Sequence, residues 1–232
     1  MAGVITHLVI AREIDKLLSD GTIVDKGLFY AGAFAPDAIH ARENYVRTDK
    51  KHTHLRDNIM DKDFITEENL TLFHQRVANF IMDNSLKEEG LQDMYRGYVI
   101  HLLTDELYML TLRAEFCETM EKLGISQSDK EFFTYIVEDM YRNDFILTNN
   151  YEGIEEIRKH LEEVKSFQIR GFLSEKEISD CKDWLGRHYF IEKCEVLEPV
   201  YISHEKTLDF IKLATTNIVE RLSEGGSLPR MW

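Results

Sequence analysis

The stretch Tyr95–Leu112 reads YRGYVIHLLTDELYMLTL. From Tyr98 onward it is apolar on nearly every side, the pattern of a helix surrounded by protein rather than lying on a surface. His101, Thr104 and Asp105 interrupt it, and spacings of three and four set them on one face. A carboxylate drawn out of water without a partner is strongly destabilising. The stretch contains no lysine, and Arg96 and Arg113 are poorly spaced to pair with Asp105. A divalent ion would compensate, because neutral imidazole and carboxylate are natural ligands for zinc and similar metals. The plainer alternative is a hydrogen bond from His101 to Asp105 one turn away, and H-x-x-x-D by itself is a common pattern.

Outward from this helix the pattern stays helical. An amphipathic segment over residues 67–84 places Leu70, Phe73, Val77, Phe80 and Ile81 on one face, and Gly90 separates it from a helix expected over 92–124. Toward the N-terminus a helix is expected from the Thr6 cap to Leu18, ended by Asp20-Gly21. A short helix is expected near 27–34, within an irregular region over 28–60. Toward the C-terminus, Ser128 with Glu131 reads as a capping box opening a helix to Asn149, and Ser174 with Glu177 as another, opening a helix to Lys193. Shorter helices are expected over 153–164 and 204–222. Only Glu198–Ile202 has a strand-like look. The fold class is therefore all-α, as a single domain over 1–232. It comprises a metal-binding half over 1–124, a helical C-terminal half over 125–226 and a loose tail over 227–232.

Composition sets the limits. The 232 residues are 44% hydrophobic with 13 Phe and 10 Tyr, enough for a sizeable core. Cys117, Cys181 and Cys194 show no metal-type spacing and no leader-like pattern is present, so a reducing cytoplasm is expected. No apolar run is long enough to insert stably in a membrane. The net charge of -14 repels nucleic acid phosphates at long range, so no nucleic-acid partner is expected. A small phosphorylated ligand stays open, because a local metal or basic patch overrules the global field at contact distance.

Other segments add donors. His7 stands at a helix start beside Leu8, Val9 and Ile10. FYAGAFAPDAIH over 29–40 sets Asp37 behind a proline among small apolar residues, where it either turns inward or caps a helix starting at Ala38. His52 and His54 alternate in a polar loop, so one of the two is expected to point inward. His74, His160, His188 and His204 read as surface or packing residues. Arg42, Arg47, Lys50, Lys51 and Arg56 make the 41–56 loop locally basic. They could draw a phosphate, although Glu43, Asp49 and Asp57 stand near enough to balance them.

The order His, Pro-Asp, His, then Gly-Tyr-x-x-His-x-x-x-Asp resembles the zinc-dependent phospholipase C family, whose all-α fold is shared with the S1/P1 nucleases. The likeness covers residues 1–115 and looks closest to a bacterial cytoplasmic branch. It implies a metal site of His7, Asp37, His54 (or His52), His101 and Asp105, with Asp105 bridging two metals and Asp37 catalytic, orienting or deprotonating a water. It implies zinc, one or two ions. The family's third zinc uses a later His and an H-x-x-x-E pair, and that third zinc is not expected here. A processed N-terminus also ligates in the secreted enzymes, and Ala2 would take that place here once Met1 is removed.

The function expected from the resemblance is hydrolysis of a phosphoric ester, on a small phosphoester or a lipid headgroup. A non-catalytic metal-binding or protein-interaction relative is the alternative. An HD-type phosphohydrolase is disfavoured because no contiguous His-Asp pair occurs.

Overall fold

A computed structural model describes residues 2–84, 90–191 and 195–232. Its helices are α1 (Val4–Leu17), α2 (Lys26–Phe34), α3 (Arg47–Thr53), α4 (Glu67–Asn84) and α5 (Gln92–Leu110), followed by α6 (Leu112–Lys122), α7 (Lys130–Asn150), α8 (Ile154–Glu163), α9 (Glu175–Leu185) and α10 (His204–Leu222). A 3-10 segment covers Ala35–Ala41, and a π turn over Gly186–Ile191 extends α9. The class is all-α, and among the described residues the only β feature is an isolated bridge between Ile169 and Leu173.

The apolar stretch around His101 becomes α5, and between Asp93 and Met109 only Arg96 keeps partial exposure. Around it stand α1, α2, α4 and α10. The closest approach is with α2. A Cβ on Gly32 would lie 2.0 Å from the Met94 carbonyl oxygen, and one on Gly97 2.0 Å from that of Phe29. Only glycine lets the two backbones meet so closely. The buried apolar residues form one continuous cluster that runs from Ile5 and Phe29 through Tyr98 to Phe132, Ile178 and Ile218. The C-terminal helices therefore share their core with the helices that carry the site.

Several expectations change in detail. The helix expected over 92–124 breaks at Thr111, whose hydroxyl bonds back to the Leu107 carbonyl at 2.7 Å while its backbone leaves the helical region. Asp129, not Ser128, is the N-cap of α7. The Ser174–Glu177 capping box is present. Glu198–Ile202 forms no strand; the N–H groups of Val200, Tyr201 and Ile202 instead donate to the buried Asp139 carboxylate. The tail expected to be loose over 227–232 turns back onto the protein. Leu228 and Met231 are buried, and Arg96 donates to the Met231 carbonyl. The expected helix end at Lys193, and Cys194, lie outside the described residues.

Candidate metal centre

Four parts of the chain meet at one point beside α5. From α5 itself come His101 and Asp105, both fully buried. α1 contributes His7, also fully buried, whose ring stacks on His101 with centroids 3.8 Å apart and planes 8° from parallel. The 3-10 segment after Pro36 contributes Asp37, and the end of α3 contributes His54. His54, not His52, is the inward residue. His52 stays exposed, stacks on Phe172 and contacts Asp57. Asp37 lies inside the 3-10 turn and is not the cap of a helix starting at Ala38.

The way His54 turns inward is visible in the backbone. Leu55 and Asn58 both sit at positive φ, 55° and 61°. For a leucine that region is strained, and it persists only where the surroundings hold it. Arg76 supplies the hold, donating to the carbonyls of Leu55 and Asp57 at 3.0 and 2.9 Å.

The protonation pattern follows from the hydrogen bonds. His101 Nδ1 lies 2.8 Å from the Ala33 carbonyl oxygen, and His54 Nδ1 lies 2.9 Å from that of Lys50. A carbonyl can only accept, so both Nδ1 atoms carry protons. Burial pulls both rings below the ordinary histidine range, His101 far below it. Each ring then holds a single proton, and both Nε2 atoms are bare lone pairs. These two Nε2 atoms lie 3.3 Å apart. Two lone pairs at that distance repel unless a cation sits near both.

Carboxylate oxygens complete the surroundings. Asp37 Oδ1 is 3.4 Å from His54 Nε2, and Asp105 Oδ2 is 3.6 Å from it. Asp105 Oδ1 is 3.4 Å from His7 Nε2. Zinc–ligand bonds of about 2.0–2.1 Å in a tetrahedron separate neighbouring ligands by about 3.3 Å, so these spacings suit a metal ion. Two sets of donors could hold one: His7, His101 and Asp105, and Asp37, His54 and His101. His101 belongs to both. Asp105 Oδ2 and both ring nitrogens of His7 are buried without a hydrogen-bond partner. Orphaned donors and acceptors of this kind are what a bound ion would satisfy. The Nδ1–carbonyl bonds of His54 and His101 also match the way metal-binding histidines are oriented.

Both carboxylates are ionised near neutral pH. Burial would raise Asp105, but the contact with His7 outweighs it and holds the carboxyl well below the usual range. Burial likewise opposes ionisation of Asp37, and the Lys50 ammonium, 2.6 Å from Oδ1, together with His54 overcomes it. Lys50 Nζ also lies 2.9 Å from His40 Nε2, and burial with that neighbouring charge brings His40 down to about 4.

The centre opens on one side. His54 and Lys50 belong to the wall of a cleft of about 340 Å³, whose other lining residues include Arg47, Lys51, Arg56 and Arg113. Of the basic loop, Arg47, Lys50, Lys51 and Arg56 reach this cleft, while Arg42 turns away to pair with Glu177 and Asp49.

Glu106, next to Asp105 in sequence, faces elsewhere and is held by His74 at 2.6 Å and Arg221 at 2.9 Å. A further carboxylate, not singled out from the sequence, is Asp144 on α7. It accepts from the N–H groups of Ile5 and Thr6 at 3.1 Å each and from the Thr6 hydroxyl at 2.9 Å. Asp144 thereby caps the start of α1 and fixes His7 one residue later. Burial drives its carboxyl up to about 6, against the pull of those donors. The only trace of Asp144 in the sequence is an acid among the apolar residues of Phe145–Leu147, which does not reveal what it would cap. The later histidines lie apart: His160 packs near Tyr30, His204 contacts Asn143, and His188 stacks on Trp184.

No family model, no curated protein and no solved structure matches this chain.

Proposed function

We propose that this protein is a metal-dependent hydrolase of phosphoric esters, with zinc as the metal and a relationship to the zinc-dependent phospholipase C and S1/P1 nuclease fold. The observation that carries the reading is the pair of unprotonated Nε2 atoms of His54 and His101, 3.3 Å apart between two ionised carboxylates, with His54 in the wall of a cationic cleft. His7, Asp37, His54, His101 and Asp105 would hold the ion or ions. A bound divalent ion supplies Lewis acidity toward a phosphoryl group. The chain's own residues do the rest. Ala33 and Lys50 carbonyls keep the imidazoles in the ligating tautomer. Lys50 keeps Asp37 ionised and therefore a poor proton acceptor, so in this reading Asp37 ligates and orients a water more than it deprotonates one. The Ala2 nitrogen, 3.1 Å from Asp105 Oδ1, is placed to join the donor set if the chain is processed after Met1.

The test is hydrolysis of a panel of soluble phosphomonoesters and phosphodiesters by the zinc-loaded protein. Turnover should be lost with a chelator, restored by zinc, and absent in Asp105→Ala with the helical signal intact. Zinc bound tightly with no turnover on any ester would favour the non-catalytic metal-binding alternative. That alternative gains support from the later histidines, which join no donor set among the described residues.

A further inference from the structure

The cleft beside the metal centre has a charge that its protein lacks. The chain carries -14 overall, yet this cleft is lined by Arg47, Lys51, Arg56 and Arg113, with Asp61 the only carboxylate in its wall. Asp61 is taken by Arg47, and Lys51 donates to the Ile59 carbonyl. Arg56 and Arg113 are left without an ion-pair partner among the described residues. Arg56 is the more telling of the two. It is 6% exposed, its guanidinium lies 3.8 Å over the Phe64 ring, and its Nε has no hydrogen-bond partner. A buried guanidinium with an unmet Nε–H and no ion-pair partner is costly unless an anion comes to it. The strained, Arg76-braced turn at Leu55 and Asn58 that aims His54 inward holds Arg56 as well. Across the cleft, α7 presents Phe133, Ile136, Val137 and Met140, and about 300–1,000 Å³ is the range of small-molecule sites.

We propose that the cleft recognises a small organic phosphate that carries a second anionic group, with Arg56 and Arg113 as the subsite for that group and the α7 wall as the seat for an apolar or aromatic body. This rests on the reading of the metal centre as the place where the reacting phosphoryl group binds. A ligand whose far end is a quaternary ammonium is disfavoured, because that end would meet two arginines.

Calorimetry on the zinc-loaded full chain tests it with three probes of one shape: phenylphosphonate, 4-carboxyphenylphosphonate and 4-(trimethylammonio)phenylphosphonate. The expected order of affinity is carboxylate, then unsubstituted, then ammonium. One charge-assisted pair separates the first two by about tenfold. Arg113→Gln, at a less buried position than Arg56, should bring the carboxylate and unsubstituted probes to within about twofold of each other. Equal binding of all three, no binding of any, or an unchanged preference in Arg113→Gln would overturn the proposal. Arg56→Gln should act in the same direction, and Arg113→Gln decides the matter if that variant does not fold. The readout is independent of turnover. A charge preference without hydrolysis of any ester refutes the hydrolase reading and upholds the anionic subsite, and hydrolysis without the preference does the reverse.

Discussion

His52 and His54 stand two residues apart, and their surroundings give them different fates. His54 is buried with its Nδ1 tied to a carbonyl and its Nε2 turned to His101 and two carboxylates, while His52 stacks on Phe172 in solvent. His54→Ala should lower zinc affinity by about 100-fold or more, since even residues that merely orient a ligand are worth about 10–100-fold. His52→Ala should stay within about twofold of the parent, as befits an exposed residue outside the donor sets. Competition with a chelating dye measures both. The alternation of the two imidazoles in the sequence shows that one turns inward. It does not say which, because the choice is made by the positive φ of Leu55 and the bracing by Arg76. His7, Asp37, His101 and Asp105 were legible as candidates from their order and apolar company, and the structure brings them together with His54. Asp144 was not legible, because its partners are main-chain N–H groups some 140 residues away that leave no mark in the sequence.

The crossing of α2 on α5 sets the geometry of the site, since it delivers the Ala33 carbonyl to His101 Nδ1 at 2.8 Å. Gly97→Ala would drive a methyl group into the Phe29 carbonyl oxygen, with backbone on both sides and nothing flexible to yield. A loss of about 3 kcal/mol is expected, at the upper end of the usual cost of overpacking, and denaturant titration reads it. The central helix itself was legible because burial on all sides writes an unbroken apolar run. The break at Thr111 was not, because a local back-bond from a β-branched hydroxyl competes with the helix without changing the apolar pattern. The fold of residues 227–232 back onto the protein was hidden for a different reason. Their anchors, Arg96 to the Met231 carbonyl and the burial of Leu228, are long-range.

Taken as a whole, the molecule gathers ionisable groups in its interior and holds them in fixed protonation states, which makes its stability depend on pH. Burial lowers His54 and His101 below the unfolded value of 6.5, so below that pH the unfolded chain takes protons that the folded one refuses. Asp37 and Asp105, held below 3.8, extend the same loss to more acid conditions. Asp144 acts in the opposite sense. Its folded value of about 6 lies above 3.8, so its contribution is fullest below 3.8 and fades as pH rises through 6. The chelated protein should therefore lose stability on acidification from 6.5, and Asp144→Asn should steepen that loss between 6 and 4, followed by denaturant midpoints across the range. Zinc shifts the curve in the same direction, since protons compete for its ligands. The most direct test is the metal content of the purified full chain after zinc loading and dialysis, beside His101→Ala prepared identically. At least about one zinc per chain should remain in the parent, and almost none in a His101→Ala protein that keeps its helical signal. A parent that retains no metal, or a variant that retains as much, would contradict the reading of these buried imidazoles and carboxylates as a cation site.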